Sequence, residues 1–176
     1  FSVLSEVGMI PSYFMGLKVN SFRKNLLEFF KFKQKKSILE NVIKLSHIYK
    51  RKNINSIIFL NYATELNDFL FWCQQLIAES LGKNGKGKLP IISSAPRDHH
   101  SLMQLYLDGP KDKLFYILSS NSNKKMKINS NIFGKNFNYA ENKDLSKVKE
   151  AQKNALIQVL KNKNIPHCEF VINKKD

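Results

Sequence analysis

The chain has 176 residues, enough for one domain with a full hydrophobic core. Hydrophobic residues make up 43% and charged residues 24% of the sequence, and these fractions exclude a collagen, a coiled coil and a wholly disordered chain. The sequence contains no apolar run of about 18 residues, so no membrane-spanning helix is predicted.

The formal net charge is +15, from 29 Lys and Arg against 14 Asp and Glu. Such a charge suggests a nucleic-acid partner, but only Arg23, Arg51 and Arg97 are arginines, the residue that nucleic-acid surfaces favour. The lysines are spread along the chain, and asparagine is also abundant, with 19 residues. We interpret the lysines as a solvated surface and predict no nucleic-acid partner. A polyanion-binding surface, or attraction of small anionic substrates by the summed charge, are the alternatives.

The two cysteines, Cys73 and Cys168, are too few for a disulfide framework. Buried free thiols are typical of a cytosolic protein, so we expect a cytoplasmic location. The sequence starts at Phe1 with no basic stretch and no small-residue cleavage site, so no signal peptide is predicted. We expect the chain to begin and end inside a longer protein.

The first half of the chain alternates helical and strand patterns. Residues 1–17 mix apolar and small residues and are interrupted by Gly8, Pro11 and Gly16. Apolar spacing predicts helices over residues 21–34 and 36–51. The continuous apolar run 57–60 is typical of a strand buried on both faces, and residues 63–81 are predicted to form a long helix that ends at Gly82.

The second half continues the alternation. A loop over 82–88 precedes a second buried strand at 89–93, and Pro96 opens a short helix that runs to Leu107. A third strand is predicted at 114–118, irregular or edge structure at 121–140, an amphipathic helix at 144–163 and a fourth strand at 170–172. This order predicts an α/β fold, with a doubly wound parallel sheet and helices on both faces. Ligands of such sheets bind beyond the carboxyl ends of the strands, here the loops after residues 60, 93 and 119.

Two patterns imitate known sites but lack their full requirements. The loop 82–88 matches GxxxxGK, but Leu89 stands where a P-loop has Ser or Thr, and the loop follows a helix and precedes a strand, the reverse of the P-loop context. The histidines and cysteines have neither CxxC nor HxxxH spacing, and adjacent helical residues such as His99 and His100 point about 100° apart. A basic connecting loop and no metal site are therefore predicted.

Three residues suit acid–base chemistry, although each has a plainer interpretation. His99 and His100 fall in the first turn of a predicted helix, where the helix N-terminus disfavours added positive charge and would keep an imidazole neutral for proton exchange. The alternative is that the two histidines are ordinary surface residues or cap the helix. Glu79 ends the long helix, where the helix dipole makes a carboxylate a better base, although most glutamates at such positions are solvated.

The segment 74–83, QQLIAESLGK, resembles the QQxxxESNGK motif of the glucose-6-phosphate isomerase family, with Leu81 in place of the usual Asn. The segment 100–109, HSLMQLYLDG, resembles that family's HxxxQLxxxG motif, and the surrounding APRDHHS and LYLDGP are similar to a bacterial branch of the family. Residues 1–8, FSVLSEVG, resemble the remainder of the family's first signature. The three motifs occur in the family's order and cover about residues 1–119.

The resemblance implies a sugar isomerase (SIS) fold over residues 1–176, as the second SIS domain of a longer chain truncated at both ends. It implies interconversion of glucose 6-phosphate and fructose 6-phosphate, a reaction of glycolysis and gluconeogenesis, with no cofactor or metal and in a homodimer. By motif, Glu79 is expected to move a proton between C2 and C1 through an enediol. His100 is expected to assist ring opening in the neighbouring subunit's site, and Gln75 to bind substrate. The spacing from His100 to Gln104, one helical turn, favours His100 over His99.

The sequence departs from the family pattern in what it lacks. The signature arginine, the phosphate-binding Ser/Thr segment and the last motif's lysine would all lie outside residues 1–176, so we expect this chain to be inactive by itself. The alternative is a non-catalytic SIS module that binds a phosphosugar and regulates a partner. Such a module would not need both Glu79 and His100.

Overall fold

A computed structural model of the chain describes residues 3–24, 31–121, 126–129 and 140–173. These residues form two compact units, Phe1–Arg51 and Lys52–Asp176. None of the helices within the described residues is both long and apolar enough to cross a membrane.

The first unit is helical, with α1 over Glu6–Phe14, α2 over Val19–Arg23 and α3 over Phe32–Lys52, which ends at the boundary between the units. Helix α3 confirms the helix expected at 36–51. Residues 25–30 of the helix expected at 21–34 lie outside the described residues. Helix α1 includes Pro11, although proline removes one helical hydrogen bond. Backbone bonds on either side, from Met9 N to Ser5 O (2.9 Å) and from Met15 N to Pro11 O (3.0 Å), hold this helix together.

The second unit contains a sheet of four parallel strands in the order β2-β1-β3-β4. The strands are β1 (Ser56–Asn61), β2 (Leu89–Ser94), β3 (Lys113–Asn121) and β4 (His167–Asn173). All four predicted strands are confirmed, and β3 is longer than its apolar run, because its polar residues 119–121 still pair with β4. The central strand β1 is buried from Ile57 onward, as its continuous apolar run predicts.

Helices connect the strands. A short 3-10 helix (Thr64–Leu66) leads into α4 (Asn67–Leu81), and α7 (Leu145–Asn162) follows β3. The single short helix expected from Pro96 to Leu107 is two helices, α5 (Arg97–Ser101) and α6 (Met103–Asp108). The chain leaves helical geometry at Leu102 (φ −122°, ψ −14°), and this break allows Asp98 of α5 and Tyr106 of α6 both to be buried.

One face of the sheet carries the main core, where strand residues pack against Tyr106 of α6 and against α7. No residue of α4 belongs to this described cluster. Connections between parallel strands are right-handed. Across the sheet, the connection from β1 to β2 runs in one direction, whereas those from β2 to β3 and from β3 to β4 run in the other. Helix α4, which connects β1 to β2, therefore covers the opposite face of the sheet from α6 and α7. Gln74 of α4 donates to Pro90 O of β2 (2.8 Å). The doubly wound α/β fold is therefore confirmed.

Leu160 of α7 is fully buried in this core. We expect Leu160→Ala to lower the free energy of unfolding of the chain by about 2–5 kcal/mol, because it removes buried methyl groups and leaves a cavity. Leu145→Ala is the matched control on the same helix, since Leu145 is 37% exposed, and it should cost about 0.5 kcal/mol. Urea unfolding followed by circular dichroism measures both, and equal losses would contradict this account of the core.

Candidate functional site

The turn between β2 and α5 is organised by Asp98, which is buried with only 5% of its surface exposed. One carboxylate oxygen accepts hydrogen bonds from Ser93 Oγ (2.9 Å) and Ser94 N (2.8 Å). The other accepts from Arg97 Nε (3.0 Å) and Ser101 Oγ (3.3 Å). Burial alone would raise the pKa of Asp98, but the hydrogen bonds from Arg97, Ser93 and Ser94 outweigh it and hold this pKa below its ordinary value.

Because the folded pKa of Asp98 is lowered, its carboxylate stabilises the fold above the unfolded pKa of about 3.9, and this contribution is lost as the pH falls through the folded pKa. We expect Asp98→Asn to lower the free energy of unfolding at pH 7 by about 1.5–3 kcal/mol, since an amide cannot accept from all four donors. The difference in free energy of unfolding between the wild type and Asp98→Asn should become smaller below about pH 4. Urea unfolding across this range tests it, with exposed Asp68 changed to Asn as control. A gap that is independent of pH would contradict the role of the carboxylate.

His99 follows Asp98 and is half-buried. The Tyr62 hydroxyl and His99 Nε2 form a hydrogen bond (2.6 Å), and the two rings meet edge to face with centroids 5.6 Å apart. Tyr62, directly after β1, is buried in the main core. Burial lowers the pKa of His99, with the Asp98 charge acting in the opposite direction, and burial raises the pKa of Tyr62. Burial therefore favours the neutral form of the His99 imidazole within the five-residue helix α5.

His100 is exposed and follows Asp98 and His99, whose side chains are both held by hydrogen bonds. The break at Leu102 separates His100 in α5 from Gln104 in α6, so the prediction that one helical turn joins them is wrong. What distinguishes His100 from His99 is exposure, since His99 points inward to Tyr62. His100 therefore presents an imidazole at the carboxyl edge of the sheet, beyond the end of β2.

Glu79 and Gln75 lie one turn apart on the exposed face of α4. Gln75 Nε2 donates to Glu79 Oε1 (3.0 Å), so the structure brings two of the three predicted site residues together. A carboxylate held by an amide on an open surface can accept a proton from a molecule that docks there. This pairing follows from the i to i+4 spacing within one helix.

The structure does not bring His100 to this pair. Helix α4 runs back from the carboxyl end of β1 to the amino end of β2, so Glu79 lies near the amino edge of the sheet. His100 lies beyond the carboxyl end of β2. The length of β2 and of the last turns of α4 puts the two on the order of 20 Å apart. Within one copy of this chain, Glu79 and His100 are therefore too far apart to act on the same small substrate molecule.

A cavity of about 440 Å³ opens at the carboxyl edge between β1 and β3, near the loops after residues 60 and 119 that the fold class indicates. Lys153 of α7 lies at its wall, with only 8% of its surface exposed. Its ammonium group pairs with Glu169 Oε1 (2.5 Å) and donates to Ser119 Oγ (3.3 Å). The cavity contains neither Glu79 nor His100 among its described lining residues.

The structure also places the two sequence patterns that imitate known sites. The loop 82–88 joins α4 to β2, which confirms the helix-to-strand context that is wrong for a P-loop. Across the described part of the chain, no three His, Cys, Asp or Glu side chains form a group that could hold a metal ion. Cys73 and Cys168 are free thiols and are half-buried rather than buried.

Three residues of the structure have roles that the sequence patterns did not indicate: Tyr62, Asp98 and Lys153. Tyr62 was detectable as the aromatic residue directly after a buried strand, at the edge where ligands bind. Asp98 was detectable as a polar residue opening a helix after a strand. The Lys153–Glu169 pair joins residues 16 positions apart on different elements, and no local sequence pattern predicts it.

Comparison with known proteins gives matches along the whole chain. The glucose-6-phosphate isomerase of Methanocaldococcus jannaschii is 30% identical over 179 aligned residues, covering 99% of this chain and 44% of that protein. The glucose-6-phosphate isomerase of Campylobacter jejuni is 34% identical, covering 100% of this chain and 45% of that protein. The chain thus spans less than half the length of these curated relatives. No protein-family model matches it.

A crystal structure of a hypothetical protein from Thermus thermophilus superposes with a TM-score of 0.75 and 22% identity, covering 97% of this chain and 43% of that one. At this identity the match supports the fold alone, and it agrees with the α/β class. The sequence matches support the family resemblance that the three motifs predict. Along its whole length, the chain is therefore related to part of the glucose-6-phosphate isomerases.

Proposed function

We propose that this chain is the second SIS domain of a glucose-6-phosphate isomerase and supplies two of its catalytic groups. The substrate is a phosphosugar, glucose 6-phosphate or fructose 6-phosphate, and the reaction moves a proton between C2 and C1 through an enediol. The observation that carries the proposal is the Gln75–Glu79 pair, exposed on α4 within the segment that resembles the QQxxxESNGK motif.

In this proposal Glu79 is the base. The proton on carbon beside a carbonyl is removed by a group within hydrogen-bond reach, and a carboxylate that is free on one side suits that task. Gln75 holds one carboxylate oxygen of Glu79 at 3.0 Å and leaves the other open to substrate. Gln75 also presents its own amide to sugar hydroxyls on the same face.

The separation of Glu79 from His100 supports a site shared between subunits. In a two-fold dimer each contact is made twice, so Glu79 of one copy and His100 of the other form two equivalent sites. His100 would then pass a proton to the ring oxygen as the cyclic sugar opens, and Glu79 of the other copy would act on the open chain. A cytoplasmic location and a place in glycolysis and gluconeogenesis complete the proposal.

The direct test is isomerase turnover by the full-length protein, measured with glucose 6-phosphate and with fructose 6-phosphate. We expect turnover in both directions by the full-length protein and none by residues 1–176 alone, because the expected arginine, phosphate-binding segment and terminal lysine are outside this chain. Phosphosugar binding without turnover by the full-length protein would contradict the proposal and favour the regulatory SIS module. Binding to a polyanion that falls steeply with salt would favour a nucleic-acid role.

A further inference from the structure

Two neighbouring residues attach the short helix α5 to two different strands. Asp98 ties it to β2 through Ser93 and Ser94, and His99 ties it to the end of β1 through Tyr62. Tyr62 is itself fixed, since its backbone N–H donates to Leu118 O of β3 (2.8 Å) and its ring is buried in the core. The next residue, His100, is exposed, so its direction depends on these anchors.

We propose that the Tyr62–His99 hydrogen bond is a positioning contact that aims His100 at the substrate ring oxygen. The inference rests on the proposed function of His100 and adds two residues, Tyr62 and His99, to which the family resemblance assigns no role. Both are proposed to act through His100 rather than on substrate. They act by fixing the rotation of a one-turn helix, whose adjacent side chains point about 100° apart.

The Tyr62–His99 hydrogen bond can control the direction of His100 because α5 is short. Helix α5 has five residues and ends at the non-helical Leu102, so it lacks the length that would hold its orientation by itself. With His99 turned inward to Tyr62, the chain must direct His100 outward. Without that bond, α5 keeps the Asp98 anchor to β2 but can rotate about it, and a misplacement of about 1 Å can cost on the order of a hundredfold in rate.

Tyr62→Phe in the full-length protein removes the hydroxyl and keeps the ring. We expect kcat for cyclic glucose 6-phosphate to fall about tenfold with little change in KM, because orientation is needed mainly in the transition state. Turnover of 5-deoxyfructose 6-phosphate, which lacks the hydroxyl that closes the furanose ring, should stay within about twofold of wild type. A merely structural role would slow both substrates alike.

Substitutions of His99 provide a rescue experiment and, combined with Tyr62→Phe, a double-mutant cycle. His99→Leu should reproduce the loss on the cyclic substrate, whereas His99→Gln should restore most of the rate, because the glutamine amide reaches the position of Nε2 and bonds a hydroxyl. The double variant Tyr62→Phe/His99→Leu should be no worse than either single variant, since all three lack the same bond.

Tyr106→Phe is the matched control. Tyr106 is as buried as Tyr62, in the same core cluster, but its hydroxyl, beside Ser93, makes no hydrogen bond of normal geometry among the described residues. Its removal should leave turnover of both substrates unchanged.

The outcomes separate this inference from the proposed function. If His100→Ala slows the cyclic substrate but Tyr62→Phe and His99→Leu do not, or if they slow both substrates equally, the positioning inference is wrong and the proposed function stands. If His100→Ala has no effect on the cyclic substrate, the role proposed for His100 itself is wrong.

Discussion

Replacing Glu79 with glutamine is expected to lower isomerase turnover of the full-length protein by on the order of 10²–10⁴-fold, the range for loss of a general base. The amide keeps the size and the contact with Gln75 at the end of α4 but cannot take a proton from carbon. Under the proposed function substrate should still bind, because the amide keeps the shape of the side chain. The loss should therefore appear in kcat rather than in KM.

The decisive measurement is isotope exchange rather than turnover. In deuterated water the wild-type enzyme should place deuterium at C2 of the sugar phosphate, and the Glu79→Gln variant should lose this exchange as strongly as it loses turnover. Glu40→Gln, the same change on an exposed glutamate of α3, is the control and should behave as wild type. Exchange at the wild-type rate in Glu79→Gln would show that another group is the base.

His100→Ala should give a different pattern, because His100 is proposed to act on the ring and not on C2. We expect turnover of cyclic glucose 6-phosphate to fall by on the order of 10²-fold or more, as for loss of a general acid. Turnover of open-chain 5-deoxyfructose 6-phosphate should fall far less. Equal losses on the two substrates would count against a role in ring opening.

The opposite placement of Glu79 and His100 also predicts complementation. A dimer that combines one Glu79→Gln copy with one His100→Ala copy has one site in which both groups are wild type. If the two proteins are denatured and refolded together in equal amounts, about a quarter of wild-type turnover should return, since half of the dimers are mixed and each has one of two sites intact. No recovery, with mixed dimers shown to form, would indicate that the two residues do not share a site between subunits.

The sequence by itself determined the class of fold. Apolar runs at 57–60, 89–93 and 114–118 each became a strand of the parallel sheet, because a strand buried on both faces must be apolar throughout. The strand predicted from Phe170 to Ile172 is also present, as part of β4. The amphipathic spacing over 144–163 became α7, whose buried residues include Leu156 and Leu160. These are short-range patterns, set by the 2.0 and 3.6 residue periods of strands and helices.

The sequence also determined the Gln75–Glu79 pair, because four residues within one helix make one turn. It could not determine the break at Leu102. The short helix after Pro96 has good local helical spacing, and the break depends on burial of Asp98 under β2 and of Tyr106 in the core. Likewise the Gly8 and Pro11 pattern did not indicate α1, which forms around both residues.

Only the tertiary structure decided how the predicted site residues are arranged. The Tyr62–His99 contact joins residues 37 positions apart, and the crossover from β1 to β2 sends Glu79 to one edge of the sheet and His100 to the other. Both depend on which strands are neighbours, a long-range property that no local period encodes. The motifs thus supplied the candidate residues, while the strand order placed two of them, Glu79 and His100, at opposite ends of the strands within one copy of this chain.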